Sequence, residues 1–329
     1  MYMKKIIAFG AVLVAPSLAL AHGKWLVPNY EDVIASQHGT YNFYSLQSVE
    51  VSIWIAFSIV TVVVAAFLHK HIPDWKWLTN FAHRHKKQVD QVAQFILGVF
   101  LVSTALFWNV VIVPVESVVS PILVTLKYVQ VAIGALFMLH LWSRYAAIGL
   151  LILTAVVSAT HGIETVFENV VLFTLALYFY LVHTSVKGGW AVLQKYAIDM
   201  VRIGTGVSLI ALALTEKLLY PELGMQFLAL HDWNFMQPIF PWFTNELFVL
   251  STGFAEALFG IVFILGYVTR ITTVVIALFF AASVTTMLYQ ASIWEVEDFV
   301  VYCAAVLLLF FSHGRATLPE LLSGRGKKK

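Results

Sequence analysis

Runs of apolar residues close to the length of one bilayer crossing recur along the whole chain, separated by short polar stretches. They fall near 49–68, 91–113, 122–142, 145–160, 169–183, 200–219, 246–267, 271–290 and 298–312. A membrane-spanning helix needs roughly 20 mostly apolar residues, whereas a barrel strand reads as about ten residues of alternating character. These runs are continuous, and in hydrocarbon each segment must satisfy its own backbone, so the pattern predicts helices. The expected fold class is all-α, a polytopic transmembrane helical bundle whose main partner is the lipid bilayer. Composition leaves little room for a soluble domain: 60% of residues are hydrophobic, 12% are charged, and the mean hydropathy is +0.84.

Residues 1–21 read as a secretory signal peptide. Lys4 and Lys5 precede an apolar stretch, Pro16 breaks it, and Ala19-Leu20-Ala21 supplies a small-residue cleavage site. Cleavage exposes His22 and leaves 22–48 as an exported segment. With that segment outside, alternation puts Lys70, Arg84, Lys86, Lys87, Arg144, Lys195, Arg202, Arg270, Arg315 and the Lys327 to Lys329 tail at the cytoplasmic side. Glu50, Glu116, Glu164, Glu168, Glu222, Asp232, Glu246, Glu295, Glu297 and Asp298 gather near the other face. Basic residues are retained in the cytoplasm during insertion, so the expected orientation is a periplasmic mature N-terminus and a cytoplasmic C-terminus.

A displacement of 126 residues overlays Gln130 on Glu256, Gly134 on Gly260, Phe137 on Phe263 and Arg144 on Arg270. A displacement of 129 overlays Glu168 on Glu297, and the openings match more loosely, Asp90 with Asp199 and Pro114 with Pro221. The chain therefore divides into a leading transmembrane helix with a basic cytoplasmic loop (49–89), a first four-helix repeat (90–198), and a second repeat with its basic tail (199–329). Four helices is an even number, so both copies enter from the same side, as parallel transporter repeats do. The second copy alone carries Glu216, Lys217 and Glu256 at membrane depth, where ionisable groups are costly unless paired or wetted. The equivalent first-copy positions, about Asn109, Val110 and Gln130, are neutral, which predicts that Lys217 contacts Glu256 or Glu216. The second copy also inserts an aromatic, proline-bearing stretch between Pro221 and Leu247, suited to interfacial anchoring or to a lid.

Arg202-Ile203-Gly204 at the head of one helix, Glu216-Lys217-Leu218 at its far end, then Gly253-Phe254-Ala255-Glu256, Gly260 and Leu265-Gly266-Tyr267-Val268-Thr269-Arg270 resemble the DoxX-like family of four-helix membrane proteins. The resemblance covers 199–312 well and 90–183 as an echo; it departs from the family in being doubled and in its leading helix. It implies a four-helix unit of the bacterial inner membrane. Some relatives are associated with membrane redox work, including a subunit of a thiosulfate:quinone oxidoreductase and a partner in mycobacterial thiol and superoxide defence. The implied function is an accessory subunit of a quinone-linked redox system, with a quinone as cofactor and a redox protein as partner. Neither haem nor flavin motif is present, which favours an accessory role over catalysis.

Two other readings come from the residues. Tandem parallel repeats with intramembrane Glu216, Lys217 and Glu256 suit a small-solute or ion carrier. His161, Glu164 and Glu168, spaced i, i+3, i+7, with His22 approaching from the same side, suit copper, zinc or iron at the outer face; the alternative is that the carboxylates mark helix ends, where the dipole favours Glu168. His140 and Gln130 lie inside an expected span, either as satisfied interior groups or as a proton or quinone contact. His69, His71, His83 and His85 are interleaved with lysines and arginines in a stretch that suits anionic lipid better than metal. Cys303, the one cysteine, excludes an intramolecular disulfide and sits in an apolar run as a structural thiol. There is no phosphate loop, dinucleotide fingerprint, HExxH or GxSxG, and the basic residues follow topology rather than forming a nucleic-acid-binding face.

Overall fold

The computed structural model describes residues 27, 44, 48–112, 121–160, 163–184, 189–231, 233–291, 299–312 and 314–322. The signal peptide, His22, Glu116, His161, Asp232, Glu295, Glu297, Asp298 and the Lys327 to Lys329 tail lie outside these residues. Among the described residues the regular structure is helical, with no strand. In order the helices are α1 (Val49–His71), α2 (Lys76–Arg84), α3 (Lys86–Phe107), α4 (Pro121–Met138), α5 (Ser143–Thr160), α6 (Ile163–Glu168), α7 (Val170–Val182), α8 (Gly189–Lys195), α9 (Ala197–Ala213), α10 (Pro221–His231), α11 (Asn245–Leu265), α12 (Thr269–Ala291), α13 (Phe299–Phe311) and α14 (Leu318–Leu322). Helix α9 runs on into a π-helical turn, Leu214–Leu218. Five of these segments are long and apolar enough to cross a membrane: α1, α3, α4, α9 with its π turn, and α11. The apolar helices within α5, α7, α12 and α13 are shorter.

The chain forms two compact units, each assembled from discontinuous segments. One comprises 64–208, 260–274 and 296–329. There α3 lies along α4 and α13, and α5 lies along α7. Glycine permits a close helix crossing: a Cβ on Gly98 would fall 2.6 Å from the Gly134 carbonyl oxygen and 2.6 Å from Met138 Cγ. A second crossing repeats the arrangement, since a Cβ on Gly206 would fall 2.6 Å from the Gly260 oxygen and 2.8 Å from Ile264 Cγ1. Small residues at such crossings let backbones pack where lipid supplies no hydrophobic drive.

Two helix ends in this unit also share one geometry. At the end of α4, His140 N–H donates to Phe137 O (3.1 Å) and Leu141 N–H to Leu136 O (2.9 Å). At the end of α11, Gly266 N–H donates to Phe263 O (3.0 Å) and Tyr267 N–H to Val262 O (3.3 Å). Both are Schellman caps, which require a left-handed residue after the helix: His140 has φ +55° and Gly266 φ +76°, and two residues on Trp142 (+48°) and Val268 (+37°) are left-handed as well. A new helix then starts at Ser143 or Thr269, with Arg144 or Arg270 as its second residue. The cap ends α4 at Met138, so His140 lies in a turn rather than inside a span.

The other unit comprises described residues of 1–63, 209–259 and 275–295. Here α10 packs on the π-helical turn, and the stretch between α10 and α11 folds back so that Trp233, Phe243 and Phe248 join Phe227 in an apolar cluster. Ile239 and Trp242 of the same stretch remain 66% exposed, so it both anchors inward and presents apolar surface outward.

Candidate functional site

The costliest buried groups, Glu216, Lys217 and Glu256, lie on the π-helical turn and on the stretch of α11 beside it. The turn is closed by Leu219 N–H to Leu214 O at 2.8 Å, and Thr215, Glu216 and Lys217 on it are all buried. Lys217 Nζ lies 2.8 Å from Glu256 Oε2 and 3.7 Å from Glu216 Oε2. Exposure is 0% for Lys217 and 2% for each acid. Gly253 makes the meeting possible, because a Cβ there would stand 2.8 Å from Leu218 Cδ2 and 3.1 Å from Lys217 Cβ. The result is two carboxylates around one ammonium, held by the close approach of α11 to the π turn.

Gln130 is also fully buried, and all its bonds are neutral. Its Oε1 accepts from Ile112 N–H at 2.8 Å, and its Nε2 donates to Leu101 O (3.0 Å) and Thr104 Oγ1 (2.9 Å). The amide thus ties α4 to the end of α3 and to the irregular segment after it, where Asn109 and Ile112 take positive φ. Gln130 is a satisfied interior group in this arrangement.

His140 borders a cavity of about 1090 Å³ in the 64–208, 260–274 and 296–329 unit. Lys86, Lys87, Arg144, Lys195 and Arg315 line it with His83 and His183, against one carboxylate, Asp90. Asp90 accepts from Lys86 Nζ (2.6 Å) and Tyr178 Oη (2.7 Å), which compensates its charge. Deeper in, Ser143 Oγ donates to Gln94 Oε1 and the Gln94 amide donates to His183 Nε2, both at 2.7 Å. Desolvation holds the His183 imidazole below its ordinary value of 6.5; Asp90 opposes this and Lys86 reinforces it.

The two arginines in the resemblance motif are structural caps. Arg202 donates to Phe263 O, to Ile264 O (2.8 Å) and to Ala316 O (2.9 Å), and pairs with Asp199 at 3.3 Å. Asp199 in turn accepts Arg315 N–H (2.8 Å) and Ala316 N–H (2.9 Å). Arg270 donates to Leu309 O (2.8 Å) and Phe310 O (3.0 Å), and reaches Asp74, Trp75 O and Thr79. Each guanidinium therefore satisfies the last carbonyls of a helix, α11 or α13, where the dipole favours a cation.

No protein-family model, curated protein or solved structure matches this chain. For the metal candidates, Glu164 is exposed and Glu168 is 4% exposed, because α6 is only six residues long and ends at Glu168 against its neighbours. The row expected along one face is thus split between solvent and interior, and among the described residues no three His, Cys, Asp or Glu side chains converge. His22 and His161 lie outside those residues. Cys303 is fully buried. Sequence reasoning missed the Gln94, Ser143 and His183 relay, whose members are up to 89 residues apart. The Asp199 and Arg202 pair carried a usable signal: opposite charges at i, i+3 opening an apolar run.

Proposed function

We propose that this chain is a DoxX-like inner-membrane protein of two tandem four-helix repeats behind a leading helix, serving as an accessory subunit of a quinone-linked redox system. Five helices long enough to cross a membrane, and four shorter apolar ones, support the span count. The repeated glycine crossing and the repeated Schellman turn, each related by the same 126-residue displacement of α4 onto α11, support the duplication. Gathering of Lys86, Lys87, Arg144, Lys195 and Arg315 around one cavity supports a single cationic, cytoplasmic end.

One observation carries the accessory role. The residues that make the resemblance, Arg202, Lys217, Gly253, Glu256, Gly266 and Arg270, are engaged in capping helices or joining them. They build a framework, which is the work of a membrane subunit rather than of a catalyst. The test is purification of the tagged full-length chain from its own membranes, with absorbance for haem and flavin and solvent extraction for quinone. Retention of a redox-cofactor protein or of stoichiometric quinone supports the reading; a cofactor-free, quinone-free chain that conducts small solutes in proteoliposomes replaces it with the carrier reading. The carrier reading is favoured by one observation of its own, the buried Glu216, Lys217 and Glu256 cluster on a π-helical turn.

A further inference from the structure

We infer that the basic cavity in the 64–208, 260–274 and 296–329 unit holds the phosphate group of an anionic amphiphile, with its apolar part along the aromatic rim. This stands apart from the redox reading and would hold equally for a carrier. Charge is the first reason. The single lining carboxylate, Asp90, is taken up by Lys86 and Tyr178. Among the described residues, Lys87, Arg144, Lys195 and Arg315 enter no ion pair. Lys87, Arg144, Lys195 and Arg315 thus give the cavity of about 1090 Å³ an excess of positive charge that favours an anion.

Preorganisation is the second reason. The Arg144 guanidinium lies 5.9 Å from the Tyr145 ring centre and 5.8 Å from that of Tyr180, contacts that hold it in place without neutralising it. Guanidinium and ammonium groups match phosphate oxygens through charge-assisted hydrogen bonds. The third reason concerns what is attached to the phosphate. Beside the cavity, Trp142 is 74% exposed, Tyr145 66% and Leu141 53%, a cluster of apolar and amphipathic side chains of the kind that sits at the head-group level of a bilayer. A phosphate carrying an acyl chain would satisfy both parts at once, whereas a free phosphate compound would leave the rim unused.

The test uses the full-length protein in detergent, with bound molecules counted by native mass spectrometry. The probes are phosphatidylglycerol, phosphatidylcholine of the same chains, and glycerol 3-phosphate as soluble competitor. Arg144 and Lys195 are exposed, so Arg144→Gln/Lys195→Gln is expected to fold, which thermal unfolding checks. Phosphatidylglycerol should bind in preference to phosphatidylcholine, and the double variant should bind it roughly 25-fold more weakly, about fivefold per cation. Arg144→Lys should restore most of the affinity, and Lys127→Gln, at the far end of α4, should change nothing. Displacement of the lipid by glycerol 3-phosphate at equal concentration would show that the rim adds nothing, and would overturn the assignment to an amphiphile in favour of a soluble phosphate compound. Equal lipid binding by wild type and double variant, or equal loss in Lys127→Gln, would overturn the assignment.

Discussion

Removing Lys217 and removing Glu256 should have unequal and coupled effects. The cluster carries two acids and one base, with formal charge −1, at 0 to 2% exposure. Lys217→Met leaves two carboxylates facing one another in the interior. Breaking a buried pair from one side costs about 3–5 kcal/mol, and the 2.8 Å bond to Glu256 together with the second acid at 3.7 Å puts this site at the upper end. Glu256→Gln leaves Lys217 beside Glu216, a neutral pair, and the amide oxygen can still accept a hydrogen bond from the ammonium; the loss is that of one charge-assisted bond, about 1.5–3 kcal/mol. In the Lys217→Met background the same Glu256→Gln change should reverse sign and stabilise, because it removes one of two opposed charges. Because the sign reverses, the coupling must exceed the about 1.5–3 kcal/mol lost in the wild-type background. The assay is a thermodynamic cycle on detergent-solubilised protein, by thermal or denaturant unfolding, with Glu216→Gln as the third corner. If Glu256→Gln destabilises by the same amount in both backgrounds, the two residues are independent and the charge argument fails. Failure of the reversed pair, Lys217→Glu with Glu256→Lys, to recover stability over either single change would count against it as well.

Gly206→Ala and Gly98→Ala should each destabilise by about 1–3 kcal/mol, the cost of overpacking a close crossing, measured by thermal unfolding; near-neutral values would mean the crossings relax freely. His140→Gly should stabilise by roughly 1 kcal/mol because the left-handed cap then carries no Cβ, and a loss instead would show that the imidazole makes a contact worth more than the strain. Arg202→Gln should cost about 3–5 kcal/mol, since it takes the guanidinium from Asp199, which keeps only its two backbone N–H donors, and from the last carbonyls of α11, and unfolding in parallel with Arg202→Lys will show whether the forked geometry matters. His183 sits below 6.5 when folded, so its neutral form is favoured by the fold and stability should decline as pH falls through 6.5 toward the lower folded value; the decline should vanish in His183→Gln if Asp90 and Lys86, which face the ring, are not themselves the cause. The Cys303 thiol, fully buried, should resist maleimide until the protein unfolds, which also lets a lone Lys87→Cys report topology to an impermeant reagent, with labelling of intact cells refuting a cytoplasmic Lys87.

Helix existence was legible because hydrocarbon imposes a length: expected starts at 49, 169 and 246 fall within one residue of Val49, Val170 and Asn245. Ends were less so. The run to 142 continues apolar beyond Met138, and nothing in hydropathy distinguishes a helix from a Schellman turn of Leu139, His140 and Leu141. The need of Lys217 for an acid was legible from burial cost alone, whereas the π turn that delivers it was not, since Leu214 to Leu218 has no marker of altered pitch. Short helices such as α2 and α10 were hidden for the opposite reason, being too short and polar to register as spans. The basic cavity was not legible because Lys86 and Lys87, Arg144, Lys195 and Arg315 lie in four separate stretches of sequence that no local pattern links.

The two polar nodes show how one framework can tolerate opposite electrostatics. In both, an α-helix brings a polar side chain to the end of the preceding long helix: Gln130 toward α3, Glu256 toward the π-extended α9. Gln130 solves the problem neutrally, by capping backbone groups of an irregular segment that follows α3 at once. On the Glu256 side the helix does not stop but widens, and the extra π turn supplies Lys217 in place of free backbone donors. A neutral amide needs fixed partners, so the Gln130 node is rigid. The Lys217 ammonium instead bonds Glu256 at 2.8 Å and stands 3.7 Å from Glu216, an ion-pair distance longer than a hydrogen bond. The glycine crossings and Schellman turns recur at both places, so a difference in role between the two nodes is to be sought at Gln130 and Glu256 themselves.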